Sequence, residues 1–146
     1  MAVGTVAFWL ALTLAGCAGH TVPPEPAVQD WNGFWKSFQA AASARDRTAL
    51  RGLMTEKFDY TFGDGAPTPE GAFAFWDRAE IHGWEALSEV AASSAVEYTP
   101  PPQWEMKGKV RLAPPQAITE GYRQWRAVFA QQPGGEWRFA AFLQGD

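Results

Sequence analysis

Arg126 stands in a strand-like run between Trp125 and Ala127, and of all the cations it is the one best suited to hold an anion. It could equally pair with Glu136 across a turn or lie on the exterior. Tyr60, Trp76, Tyr98 and Trp104 could line an aromatic pocket, or they could pack as core. Tyr and Trp carry a donor that needs a partner when buried, so rings of this kind suit a site with one polar edge. His82 lies near Asp77, Glu80 and Glu85. A metal centre wants two or three such ligands converging, and the other histidine, His20, belongs to a proline-rich stretch near the N-terminus. His82 therefore reads as a surface or helix-end residue, and neither a metal nor a tightly bound cofactor is expected. Cys17 is the single cysteine. It can make no internal disulfide, and a catalytic thiol would need a histidine partner, of which the nearest is His20.

These side chains must be held by elements, and the hydrophobic period shows where those are. Asp30 is placed to cap a helix in which Trp31, Phe34, Trp35, Phe38 and Ala42 recur at helical spacing. Asp46 could cap a shorter helix carrying Leu50, Leu53 and Met54. The period then changes to two. Phe58, Tyr60 and Phe62 alternate with Asp59 and Thr61, as in a half-buried strand, so Asp59 should point away from the side its neighbours enter. Thr68-Pro69-Glu70 is a helix start, with a cap, a proline at the first position and an acid in the first turn. Phe73, Trp76 and Ile81 follow as buried residues. Gly83 interrupts, and Trp84, Leu87 and Val90 suggest a further helical piece.

Ala95 to Thr99 reads as a strand stopped by Pro100-Pro101-Pro102. Those prolines suit a rigid loop or a segment that docks in an aromatic groove of another protein. A short strand is possible at Lys109 to Leu112. Gly121 to Gln131 and Glu136 to Gln144 form a hairpin around Pro133-Gly134-Gly135. Strict alternation puts Trp137, Phe139, Ala141 and Leu143 on one face of its second strand, and Arg138, Ala140 and Phe142 on the other. The faces carrying Tyr122, Gln124, Arg126 and Phe142 are mixed, which suits a ligand, a partner subunit or a homodimer contact.

The chain has 12 basic and 16 acidic residues and a net charge of −4. That balance offers no electrostatic footprint for nucleic acid. Eight Trp and ten Phe can build a large core without covalent staples, since each large ring buries roughly 150–250 Å².

Val6 to Leu14 is uncharged and strongly apolar, too short for a spanning helix, which needs about 20 residues. It matches the apolar core of a secretory signal. Leu14-Ala15-Gly16-Cys17 resembles the bacterial lipobox. The resemblance implies removal of residues 1–16, a diacylglyceryl group on the Cys17 sulfur, and a lipid anchor in the membrane. Residues 17–29, proline-rich and without apolar period, then form a tether, and residues 30–146 form one domain. Ala18, rather than an aspartate, after the cysteine implies the outer membrane facing the periplasm in a diderm cell. Otherwise the protein sits on the outer face of the cell membrane.

A long amphipathic helix, a short helix, an aromatic strand, a capped helix and a Trp-rich closing hairpin come in an order that resembles the nuclear transport factor 2-like superfamily. The stretch from Asp46 through Leu50, Leu53-Met54 and Phe58, and the ending GGEWRFAAFLQGD, carry the likeness. It implies an α+β fold, with a curved antiparallel sheet packed on N-terminal helices and an apolar pocket between them. SnoaL-like cyclases and ketosteroid isomerase belong to this group. The family's enzymes move a proton beside a carbonyl with a buried carboxylate, which here would be Asp59 or Asp77, with Tyr60 or His82 as donor. No pair in this chain matches their catalytic pairs residue by residue. The expectation is thus a non-catalytic envelope protein that binds a small apolar ligand or a protein partner, with a small proton-transfer enzyme as the alternative.

Overall fold

Three helices begin where a short polar side chain reaches back to a free backbone N–H. Asp30 accepts from the Gly33 N–H at 2.8 Å, Asp46 from Ala49 at 2.9 Å and Thr68 from Gly71 at 3.1 Å. Each cap satisfies one of the donors that a helix start leaves without a partner. The helices are α1 (Trp31–Ala44), α2 (Arg47–Leu53) and α3 (Pro69–Trp76). A fourth, α4 (Gly83–Ala91), starts without a side-chain cap after the left-handed His82. The computed structural model describes residues 29–61 and 65–145. Cys17, the apolar run before it and most of the tether lie outside the described residues. Among the described residues, no helix is long and apolar enough to cross a membrane.

Five strands form one sheet: β1 (Met54–Asp59), β2 (Val96–Tyr98), β3 (Val110–Ala113), β4 (Trp125–Gln131) and β5 (Trp137–Gln144). Their order is β1-β5-β4-β3-β2. The last four pair antiparallel, and β4 with β5 is the hairpin that the sequence implies. β1 pairs parallel to β5, so the sheet is mixed rather than wholly antiparallel. No tight turn links these two strands, and nothing local sets their relative direction. The fold is α+β, a curved sheet packed on helices.

The helices cover one face, called inner here. Phe34 and Phe38 of α1, Trp76 of α3 and Trp84 of α4 meet Phe129, Phe139 and Phe142 of the sheet. Phe139 is fully buried, with ring centroids at 4.8 Å from Phe58 and 4.9 Å from Phe38. A smaller cluster lies on the outer face: Val110, Leu112, Val128 and Ala141, with Ala117 from a turn.

The alternation expected for β5 fails at one residue. Val128 pairs with Ala141 while its neighbour Phe129 pairs with Phe139, so Ala140 is an extra residue, a bulge. A bulge shifts the phase by one and bends the strand. Phe139 and Phe142 therefore both enter the inner core, and Ala141 and Leu143 join the outer cluster. Period-two reading places Phe142 opposite Phe139. The structure corrects this, and Phe142 stacks on Trp125 at 4.7 Å.

Candidate functional site

On the inner side, Trp76 is part of the packing. It is 2% exposed and meets the rings of Trp84, Phe142 and Phe58 edge-on at 5.3, 5.5 and 6.0 Å. Gly83 makes room for it, since a Cβ there would lie 2.6 Å from Trp76 Cδ1. Asp77 ends α3 and faces Arg47 and Trp84. Its Oδ1 accepts from the Trp84 indole N–H at 3.0 Å and from Arg47 Nη2 at 2.6 Å. The indole hydrogen bond first, and the guanidinium second, hold its carboxyl below the usual carboxylate range. A general base of the proton-transfer kind needs the opposite shift, upward, from an apolar wall.

His82 is exposed, with φ of 53°. The acids near it in sequence are engaged elsewhere, Glu80 with Arg78 at 2.7 Å and Glu85 with Arg45 at 2.8 Å. Among the described residues, no three His, Cys, Asp or Glu side chains converge as metal ligands.

Tyr60, just past β1, is buried. Its hydroxyl packs against the glycines that follow; a Cβ on Gly71 would stand 2.7 Å from it. Its ring faces Phe75 at 5.5 Å. Gln124 belongs to a cleft of about 240 Å³ at the end of α4, with Glu89, Tyr122 and Trp125. There the Tyr122 hydroxyl donates to the Trp125 carbonyl at 3.2 Å, and burial pushes its pKa up.

The outer face brings together three of the residues singled out from sequence: Asp59, Trp104 and Arg126. They line a groove of about 400 Å³. Val128, Ala141 and Leu143 form its floor, Lys57 and Asp59 of β1 one wall, and Trp104 to Met106 the other. The second wall is built by the proline run, which closes a 3₁₀ turn (Pro102–Trp104). The Trp104 N–H donates to the Pro101 carbonyl at 3.0 Å, and the Glu105 N–H to Pro102 at 3.1 Å. Tyr98 supports Trp104 from behind, ring to ring at 5.6 Å. Of the five residues expected around one pocket, Trp104 and Arg126 share this groove with Tyr98 in support. Tyr60 and Trp76 lie in the helix-side core.

Arg126 differs from Arg111 and Arg138, the other described arginines of the sheet, in holding no carboxylate. Its Nη1 reaches the Tyr122 carbonyl at 3.5 Å, and its Nε is buried without an acceptor. Glu136, the partner weighed for it, pairs with Arg138 instead, at 3.3 Å. Met106, Leu143 and Lys57 complete the groove but carry no sequence signal of their own. Leu143 faces it because of the bulge at Ala140.

No family model and no curated protein matches the chain. Two solved structures are similar in shape. One is a candidate ketosteroid isomerase of Shewanella frigidimarina, with 12% identity, 80% of this chain and 96% of that one covered, and a TM-score of 0.37. The other is an NTF2-like protein with a cystatin-like fold from Novosphingobium aromaticivorans, with 16% identity, 77% and 76% covered, and a TM-score of 0.36. Within this chain, the outer groove rather than the helix side brings Asp59, Trp104 and Arg126 together.

Proposed function

We propose that this chain is a non-catalytic binding domain held at the cell envelope by lipid on Cys17. One observation carries the first half. The residue types that could move a proton are tied up or exposed: Asp77 is tied to Arg47 and Trp84, His82 is exposed at a helix start, and Asp59, although it lines a small pocket with Tyr60, is itself exposed and points to the far side of the sheet from the buried Phe58. A general base of the proton-transfer kind needs a carboxyl shielded by an apolar wall. The Leu14-Ala15-Gly16-Cys17 motif after an apolar run supports the second half. Two acyl chains on one residue hold a protein to a bilayer firmly, where one chain does so only marginally.

Native mass spectrometry of the protein recovered from its own membranes tests both halves. The expected species begins at Cys17, carries the mass of a lipid, and retains a small molecule. A chain beginning at Met1 without added mass would overturn the anchor. Catalysed hydrogen–deuterium exchange beside the carbonyl of a steroid enone, lost in Asp59→Asn or Asp77→Asn, would overturn the non-catalytic reading.

A further inference from the structure

The anomaly in this molecule is a cation without an anion. Arg45, Arg47, Arg51, Arg78, Arg111 and Arg138 each hold a carboxylate within 3.3 Å. Arg123 and Arg126 hold none among the described residues. Arg123 is exposed, so water serves it. Arg126 is half-buried on β4, between the apolar floor of the groove and the Tyr122 carbonyl. Arg111 also has a desolvated Nε. Its guanidinium, however, lies over the Trp31 ring at 4.6 Å and the Trp137 ring at 5.8 Å, and holds Glu97 at 3.2 Å. Arg126 has neither a ring nor a carboxylate. Removing a charged group from water without a counter-charge costs free energy, and one long hydrogen bond to the Tyr122 carbonyl offsets little of that cost.

The groove around Arg126 has the composition of a small-molecule site. Its volume falls within the roughly 300–1,000 Å³ usual for such sites. Val128 and Ala141 are buried in its floor beside the half-buried Leu143, and Met106 and the Trp104 indole flank it. Asp59 belongs to β1, which β5 separates from β4, so two strand spacings, about 10 Å, lie between Asp59 and the strand of Arg126. That gap exceeds a direct ion pair and fits the width of a flat ring system. The other charged groups at the groove, Lys57, Asp59 and Glu105, are all exposed and sum to −1, so Arg126 is the one half-buried charge among them.

From this geometry we infer that the groove takes an organic anion with a flat apolar body. Its carboxylate meets the Arg126 guanidinium, and its body lies between the Trp104 indole and the floor of Val128, Ala141 and Leu143. Guanidinium binds carboxylate through two parallel N–H donors, which gives both strength and orientation. The inference rests on the binding-domain reading and specifies its site and ligand class.

Isothermal titration of the full chain, as recovered from cells, with 2-naphthoate and its neutral isostere 2-naphthamide tests it. Saturable binding of the naphthoate is expected, with the naphthamide weaker by about tenfold or more, the worth of a charge-assisted pair. Arg126→Gln should weaken naphthoate by about the same factor, Arg126→Lys should retain part of the affinity, and Trp104→Ala should weaken both probes. Arg123→Gln should change nothing. Equal binding of the two probes, no saturable binding, or an Arg126→Gln variant that is folded and binds normally would overturn the inference. Loss of binding in Gln124→Ala but not in Arg126→Gln would move the site to the cleft at α4. That result would overturn the groove and leave the binding-domain reading standing. The exchange assay on the enone fails or succeeds independently of all these titrations.

Discussion

The two faces of the sheet put arginine to opposite uses. On the inner side Arg111 is closed in by Trp31, Trp137 and Glu97. On the outer side Arg126 reaches one backbone oxygen at 3.5 Å. The inner face is filled with interlocking rings, and its charged rim is paired. The outer face has small aliphatic residues under a groove bordered by charges that form no ion pair among the described residues. Each face keeps a buried N–H without an acceptor, Trp76 Nε1 and Arg111 Nε on the inner side and Arg126 Nε on the outer. What separates the two arginines is the charge: Arg111 has an internal carboxylate and two rings, and Arg126 has neither, which leaves its charge for the ligand inferred above.

If the inner face makes the fold and the outer face receives a ligand, equal truncations should have unequal costs. Phe139→Ala removes a fully buried ring in contact with Phe38, Phe58 and Phe129. It should cost about 3–5 kcal/mol, the range for large-to-small changes in a closed core. Leu143→Ala, half-buried at the groove, should cost only about 1 kcal/mol, because water can enter the space it leaves. Urea unfolding of the two variants checks this. Similar losses would erase the contrast between the faces.

A smaller effect sharpens the same contrast from the charged side. Asp77 is held below its ordinary value of 3.8 by the Trp84 indole and Arg47. Its pKa is lower in the folded than in the unfolded chain, so the stability it contributes is present above the unfolded value and is lost as pH falls through the folded one. Asp77→Asn should therefore lower stability near neutral pH by about 0.5 kcal/mol, allowing for solvent screening of a half-exposed pair. The difference from wild type should vanish in acid, below the ordinary carboxylate range. A difference that persists there would assign the loss to packing rather than to the charge.

Much of this architecture is legible in the amino-acid sequence, for local reasons. Asp30, Asp46 and Thr68 mark helix starts because each cap acts over three residues. The closing hairpin is legible because its turn residues lie between two ring-rich runs. Three features are not legible. The bulge at Ala140 leaves no trace in an alternating run, yet it decides the faces of Ala141, Phe142 and Leu143. The direction of β1 depends on a partner at the far end of the chain. The wall of the groove is a proline-led turn with Glu105 in the left-handed region at φ 51°, which no period announces. Arg126 could be named from its type and its neighbours. Its lack of a carboxylate could not, because that depends on where Glu136 and Glu97 go.

The smallest expected change is the most telling. Arg126→Leu removes the unpaired guanidinium and adds an apolar side chain beside Leu143, its partner across the strands. If Arg126 serves a ligand rather than the fold, the urea midpoint of this variant stays at or above that of the wild type, within about 0.5 kcal/mol on the low side. A loss greater than about 1 kcal/mol would show that the guanidinium holds the sheet together, and would contradict the assignment of the outer face to binding.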